Sequence, residues 1–375
     1  MSNPSFAGSA DAAPAASAEP IRSPGEPTQD TLTGDYAGDT PGAPADGPPG
    51  GPDDSGPPLG GGGALPRKKA WSMETGFRFF TSAAGMAVLA IIVAIGVFLI
   101  SKAIPALNAN HANFLTYKNW FPGDNPPMFG IGALAFGTVL TAVIALVLSV
   151  PVAVGIALCL THYAPRRVAT VLGFTIDLLA AVPSIVFGLW GRDYFQAPVA
   201  GLSRWLHTYF GWLPIFGSGG PYGKSILLGS MVLGIMVLPI VTALTRDVFA
   251  QTPTMNEEAA LALGATKWEM IRTSVLPYGR PGLIAATMLG LGRALGETIA
   301  LALTLGATFN ISADLLGNGG NTIAANIAHN FGEADAIGRG ALIASGLVLF
   351  AITLVVNVAA RAVIFRRREF RASAV

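Results

Sequence analysis

Six stretches of this chain are apolar over a length that can cross a bilayer, near residues 80–103, 133–160, 169–190, 225–245, 282–306 and 340–364. About 30 Å of hydrocarbon requires roughly 20 helical residues, which each stretch supplies. Inside lipid no water is present to bond backbone N–H and C=O groups, so each stretch must satisfy its own ladder as a helix. The fold class that follows is all-α and integral to the membrane, with six transmembrane helices over residues 71–375. Pro151, Pro183 and Pro239 interrupt three of the stretches, and kinks of this kind mark places where helices bend or hinge.

Composition agrees: 51% of residues are hydrophobic and 12% charged, which excludes an ordinary soluble domain. Residues 1–70 are a different material. The first 66 hold nine acids (Asp11, Glu19, Glu26, Asp30, Asp35, Asp39, Asp46, Asp53 and Asp54) against Arg22 alone, in a background of Pro, Gly, Ala and Ser. Such a segment has too few large apolar residues to bury a core and reads as a disordered acidic tail, a tether or solvating arm. It has neither the basic start nor the apolar core of a signal peptide. A single cysteine, Cys159, excludes an intrachain disulfide.

The basic residues orient the spans. Arg67, Lys68, Lys69, Arg78, Arg166, Arg167, Arg246, Lys267, Arg272, Arg280, Arg361, Arg366, Arg367, Arg368 and Arg371 fall on one side, and Lys102, Lys118, Arg192, Arg204, Lys224 and Arg339 on the other. Fifteen against six puts both termini and the 246–280 loop in the cytoplasm. On the outer side, residues 191–224 carry Tyr194, Phe195, Trp205, Tyr209, Phe210 and Trp212. Two readings of these aromatics stand: an interfacial belt, or a rim that docks an external delivery protein.

Three ionisable residues fall within the spans: Asp177, Arg293 and Glu297. Burying each costs on the order of 3 kcal/mol, so each should face the bundle interior and find a partner. Arg293 and Glu297 are separated by four residues and, on one helix, would point the same way. From Pro281, Arg293 lies roughly 18 Å along the helix, near mid-bilayer. Gly292 and Gly296 permit close helix approach or leave room beside the charges. The pair is either a structural tie between helices or an anion path in which Arg293 supplies charge and Glu297 orients it. A guanidinium suits a tetrahedral oxyanion because its fork donates two hydrogen bonds at fixed geometry. Asp177 is expected to pair with Arg293 or to cap the kink at Pro183.

Between the fourth and fifth spans lies a polar helix pattern, residues 257–277, in which Leu261, Gly264, Trp268 and Ile271 make one apolar face and Pro277 is the expected stop. An amphipathic helix in such a loop implies a docking partner in water. The pattern resembles the EAA loop of bacterial ABC importer permeases, in Glu258-Ala259-Ala260, Gly264 and Leu276-Pro277. A wider set is similar to the PstC permeases of phosphate-specific importers, over roughly residues 75–370. It comprises Asp177-Leu-Leu-Ala-Ala-Val-Pro-Ser184, Phe187-Gly-Leu-Trp-Gly191, Val237-Leu-Pro-Ile240, Val275-Leu-Pro-Tyr278 and Met288-Leu-Gly-Leu-Gly-Arg-Ala-Leu-Gly-Glu-Thr298.

That resemblance implies a type I ABC importer bundle in the bacterial inner membrane, paired with a homologous PstA-like permease. It also implies a PstB-like ATPase dimer and an external PstS-like phosphate-binding protein. It makes Glu258, Ala259, Ala260 and Gly264 the ATPase-coupling positions, and Arg293 and Glu297 the charged pair of the phosphate pathway. Two departures stand out: Ser274 where the EAA pattern has isoleucine, and Asp177 where glutamate is usual. No Gly-x-x-x-x-Gly-Lys-Ser/Thr loop occurs, so ATP is expected to serve the partner, with no cofactor on this chain. His111, His162, His207 and His329 lack metal-ligand spacing, and no Ser/His/Asp set points to catalysis. No nucleic-acid partner is expected. The competing readings are a permease for sulfate or molybdate, a proton-coupled secondary transporter with Glu297 as proton carrier, and a membrane sensor or scaffold.

Overall fold

The computed structural model describes residues 73–217 and 219–372, with the backbone alone for 73–75, 360 and 363–372. The acidic tail expected over 1–70 lies outside the described residues. A long helix α1 (Met73–Ala109) leads through a two-stranded hairpin, β1 (Trp120–Phe121) with β2 (Met128–Phe129), to α2 (Gly132–Leu158), which a π-helical turn extends to Tyr163. Then follow α3 (Arg166–Ala180), α4 (Ser184–Trp190) and α5 (Gln196–Phe210), the last two joined by a π-helical turn, and α6 (Ile226–Ala250). The loop beyond carries α7 (Thr254–Ala262) and α8 (Lys267–Met270), and a third π turn runs into α9 (Leu276–Gly296). The chain closes with α10 (Ile299–Thr304), α11 (Ile323–Asn330) and α12 (Ala336–Ala372).

Among the described residues four helices are long and apolar enough to cross a membrane singly, namely α1, α2 with its π turn, α6 and α12; a bent pair, counted as one span, makes a fifth. The expected third span is that pair, α3 against α4–α5, bent by 89°. Pro183 makes the break, whereas Pro151 and Pro239 lie inside unbroken helices. Proline removes one N–H, but a neighbouring helix or a local π or 3₁₀ adjustment absorbs that within a bundle. The expected fifth span, 282–306, is also divided, between α9 and α10 at Glu297-Thr298. The outer segment 191–224 is not an open loop, because helix continues to Phe210.

The core forms around α6, where Leu228, Val232, Leu233, Val237 and Val241 are wholly buried against small residues of α2, including Ala142, Ala145 and Ala153. Without a hydrophobic drive between helices in lipid, small residues that let backbones approach make the packing. Gly137 of α2 abuts the carbonyl oxygen of Asn321, and the next residue, Thr138, accepts the Ile323 N–H on its hydroxyl at 3.0 Å. Gly137→Ala should therefore force the 321–323 loop off α2. It is expected to lower stability by about 1–3 kcal/mol, read as a lower thermal midpoint of the detergent-solubilised protein; an unchanged midpoint would refute the contact.

The two ends of the bundle are defined by packing. At one, the last residues of α2 (Ala157, Leu158) and α6 (Phe249) cluster with Met270, Ile271 and Val275 of the loop. At the other, Leu134 at the start of α2 clusters with Phe129, Ile323 and Leu342. The first, which also holds Arg246, Lys267 and Arg272, is termed the basic end below.

Candidate functional site: a groove with two arginines and a docking loop

Helix α9 rises from the basic end with Gly279 and Gly282 against Phe249 and Val248, so it runs antiparallel to α6. Higher up, Gly290 lies against Val237 and Val241, near the middle of α6. Arg293 follows within one turn and so lies near the level of the middle of α6. The close approaches are made by Gly279, Gly282 and Gly290, whereas Gly292 and Gly296 face open space. Of the two roles open to that glycine pair, leaving room is the one it fills.

Gly292 lines a groove of about 610 Å³ between α9, α6 and α12. Its polar members are Arg293, Asn357 and Arg361, and its walls are apolar, from Ile240, Ala285, Met288 and Leu289. Arg293 is exposed to the groove, with no acid among the lining residues. Among the described residues the ion pairs are His162–Glu257, Arg192–Asp193, Arg246–Asp177 and Arg246–Asp247, so neither Arg293 nor Glu297 belongs to one.

The expected Arg293–Glu297 tie is thus corrected. The helix stops at Gly296, and Glu297 takes an extended backbone, φ −69° and ψ 126°. Its carboxylate turns inward, 8% exposed, where Oε1 accepts the Ala300 N–H at 3.3 Å and caps the start of α10. Asp177 likewise does not reach Arg293. Its Oδ2 accepts from Arg246 Nη2 at 3.4 Å, tying α3 to the end of α6, and the guanidinium lies over Gly173, where a side chain would meet it at 2.6 Å. A guanidinium left without a carboxylate in an apolar groove can take a planar pair of oxyanion oxygens.

The polar loop between α6 and α9 holds two helices rather than one. Helix α7 ends at a left-handed glycine, Gly264 at φ +85°. Gly264 N–H donates to Leu261 O at 2.9 Å and Ala265 N–H to Ala260 O at 3.2 Å, the double bond of a glycine-terminated helix. Helix α8 starts at once with a capping box: Glu269 N–H donates to Thr266 Oγ1, and Thr266 N–H to Glu269 Oε2 at 2.8 Å. The Thr266 backbone N–H, and after it the hydroxyl, hold the Glu269 carboxyl below its ordinary range. Pro277 does not stop this helix; it is the second residue of α9.

The expected apolar face divides as well. Ile271 is fully buried, whereas Leu261 is 46%, Trp268 55% and Leu263 90% exposed. Glu258, Ala259 and Gly264 are exposed beside them, and Ala260 packs on the cluster beneath. Exposed leucines and a tryptophan on a rigid double helix are the composition of a docking surface.

Comparison with known proteins decides the family. Residues 149–369 match the family described as binding-protein-dependent transport system inner membrane component. A protein of Mycobacterium tuberculosis named phosphate transport system permease protein PstC 2 is 47% identical over 305 residues, 80% of this chain and 94% of that one. PstC of Mycobacterium leprae is 46% identical, covering 71% and 85%, and PstC of Xylella fastidiosa 40% identical, covering 77% and 90%. The chain belongs to this permease family. A solved bacterial ABC transporter involved in import of the acidic polysaccharide alginate aligns with TM-score 0.46 at 17% identity, covering 77% of this chain and 98% of that chain.

Several residues of this permease escaped the sequence reading. Asn357 and Arg361 lie four residues apart on α12, and nothing local to that helix distinguishes them from interfacial anchors. His162, at the end of the α2 extension, faces Glu257 of α7 at 3.5 Å and so ties the loop to the bundle. Ser274, which departs from the EAA pattern, donates its hydroxyl to the Asn256 carbonyl at 3.1 Å and braces α7 against the π turn. Among the described residues no group of His, Cys, Asp and Glu is arranged to hold a metal ion.

Proposed function

We propose that this chain is the transmembrane permease subunit of an ATP-driven inorganic phosphate importer of the bacterial inner membrane, with both termini cytoplasmic. The observation that carries the reading is Arg293, unpaired at mid-depth in an open groove, in a chain 40–47% identical to permeases named for phosphate transport. Arg293 offsets part of the desolvation that a phosphate ion meets in crossing the apolar bundle. Glu297, turned inward, fixes the break between α9 and α10 and leaves the guanidinium free for the anion. The groove opens on a face of α9 and α12 that a homologous PstA-like permease would cover, closing the path between the two subunits.

A PstB-like ATPase dimer supplies the force. Its docking surface is the α7–α8 pair, with Glu258, Ala259, Ala260 and Gly264 at the contact. A PstS-like protein delivers phosphate at the far end. ATP-driven closure of the dimer moves α7–α8, and the π turn at 271–275 passes the motion into α9, on which Arg293 stands. Access then alternates between the two ends.

The test is uptake of labelled phosphate, at micromolar concentration, by cells lacking the gene and complemented with it. Uptake should return, survive an excess of sulfate or molybdate, and cease on ATP depletion. Competition by sulfate or molybdate would reassign the anion, and uptake that follows the proton gradient without ATP would overturn the importer.

A further inference from the structure

Arg361 lines the same groove as Arg293 yet has no counter-charge among the described residues. Helix α12 begins at the far end, where Leu342 packs with Phe129 and Leu134, and α9 begins at the basic end beside Phe249. The two helices that form the groove therefore run in opposite directions. On α9, Ala285 lies nearer the basic end than Arg293; on α12, Arg361 lies nearer it than Asn357. Arg361 lies 19 residues beyond Leu342 on α12, whereas Gly290, one turn before Arg293, meets Leu146 only 12 residues beyond Leu134 on α2, so at 1.5 Å per residue Arg361 stands roughly 10–15 Å nearer the basic end than Arg293. The groove thus holds one guanidinium at mid-depth and a second lower down, with Asn357 one turn from the second and no acid between them.

We propose that Arg361 and Asn357 form a second oxyanion subsite, which receives the transported anion from Arg293 on its way to the basic end. The inference rests on the phosphate reading above. An anion that leaves a single fixed guanidinium for an apolar groove loses its only compensation. A positive charge about 12 Å ahead contributes about 1.4 kcal/mol at an effective dielectric of about 20, which is a factor of about ten. Asn357 adds an amide donor that holds the oxyanion without the full attraction of a third charge, so the ion is passed on rather than trapped.

The experiment uses the whole importer, with its partner subunits, in proteoliposomes. Arg361→Gln should lower phosphate uptake about tenfold while the subunits copurify in unchanged amounts, and Arg361→Lys should restore most of it. A second measurement does not depend on transport. Asn357→Cys in a Cys159→Ser background leaves one thiol in the chain, and free phosphate should slow its reaction with a thiol reagent in detergent. That protection should vanish when Arg361→Gln is added.

Wild-type uptake by Arg361→Gln, or labelling indifferent to phosphate in an importer that transports it, would overturn the subsite. If Arg361→Gln does not assemble, protection of the single cysteine decides the matter alone. Protection that follows anionic lipid rather than added phosphate would make the partner a lipid headgroup and end the relay. A wild-type importer that moves no phosphate would overturn the parent reading, a result distinct from loss in the variant alone.

Discussion

Arg293→Gln is expected to reduce phosphate uptake about a hundredfold while the permease still reaches the membrane and assembles. Arg293 makes no ion pair among the described residues and faces the groove, so its removal leaves no orphaned carboxylate. Glutamine is close in length and retains an amide donor, which keeps the packing and removes the charge. Truncating one partner of a desolvated charge pair costs about 2–5 kcal/mol, or roughly thirtyfold to several thousandfold. The anion is the other partner, left uncompensated, so the loss should appear in maximal uptake and not in the affinity of the external binding protein. Labelled-phosphate uptake beside membrane-fraction quantification measures both. Uptake within twofold of wild type would make Arg293 a structural charge. The structure sharpens a further point: Glu297→Gln should act differently, since its carboxylate caps α10 and does not touch Arg293.

Gly264→Asp is expected to separate ATP hydrolysis from transport, with uptake falling about tenfold or more. Three effects add at this position. The backbone at φ +85° lies in the left-handed region, which costs a residue with a Cβ about 1–2 kcal/mol, and less for Asp or Asn, whose short polar side chains bond locally. The new carboxylate would sit at the carboxyl end of α7, where the helix dipole is negative and repels it by about 0.3–1 kcal/mol. It would also place a charge beside Leu263, the most exposed leucine of the docking face. Among the described residues nothing beyond its chain neighbours lies within 4 Å of a Cβ at Gly264, so the damage falls on the turn and on the partner contact, not on the bundle. Gly264→Asn tolerates the left-handed backbone and carries no charge; it should retain an intermediate uptake. Copurification of the ATPase, its activity, and uptake are the readouts, and wild-type values for all three would remove Gly264 from the coupling surface.

Much of this molecule was legible in the sequence because the bilayer imposes local rules. Apolar runs of sufficient length become helices wherever their neighbours are, and α1, α2, α6 and α12 appear where hydropathy puts them. The caps at Gly264 and Thr266-x-x-Glu269 are equally local, although the reading of residues 257–277 as one helix pattern passed over them. The polar pattern over residues 257–277 announced helix in the loop between two apolar runs. The family followed from motifs that lie within single segments.

Tertiary structure decided what depends on which segments meet. Pro151, Pro183 and Pro239 look alike in sequence, yet only Pro183 breaks its helix, because packing absorbs the other two. The apolar run 282–306 conceals the break at Glu297, whose spacing from Arg293 suggests an ion pair on a continuous helix that is not there. Asp177 finds Arg246, 69 residues away, through the packing of α3 on α6. Arg361 faces the Arg293 groove only because α9 and α12 run antiparallel across it. Hydrophobicity and capping act over a few residues and can be read along the chain. The partner of a charge is whatever the packed helices bring within a few ångströms, and that distance is written only in three dimensions.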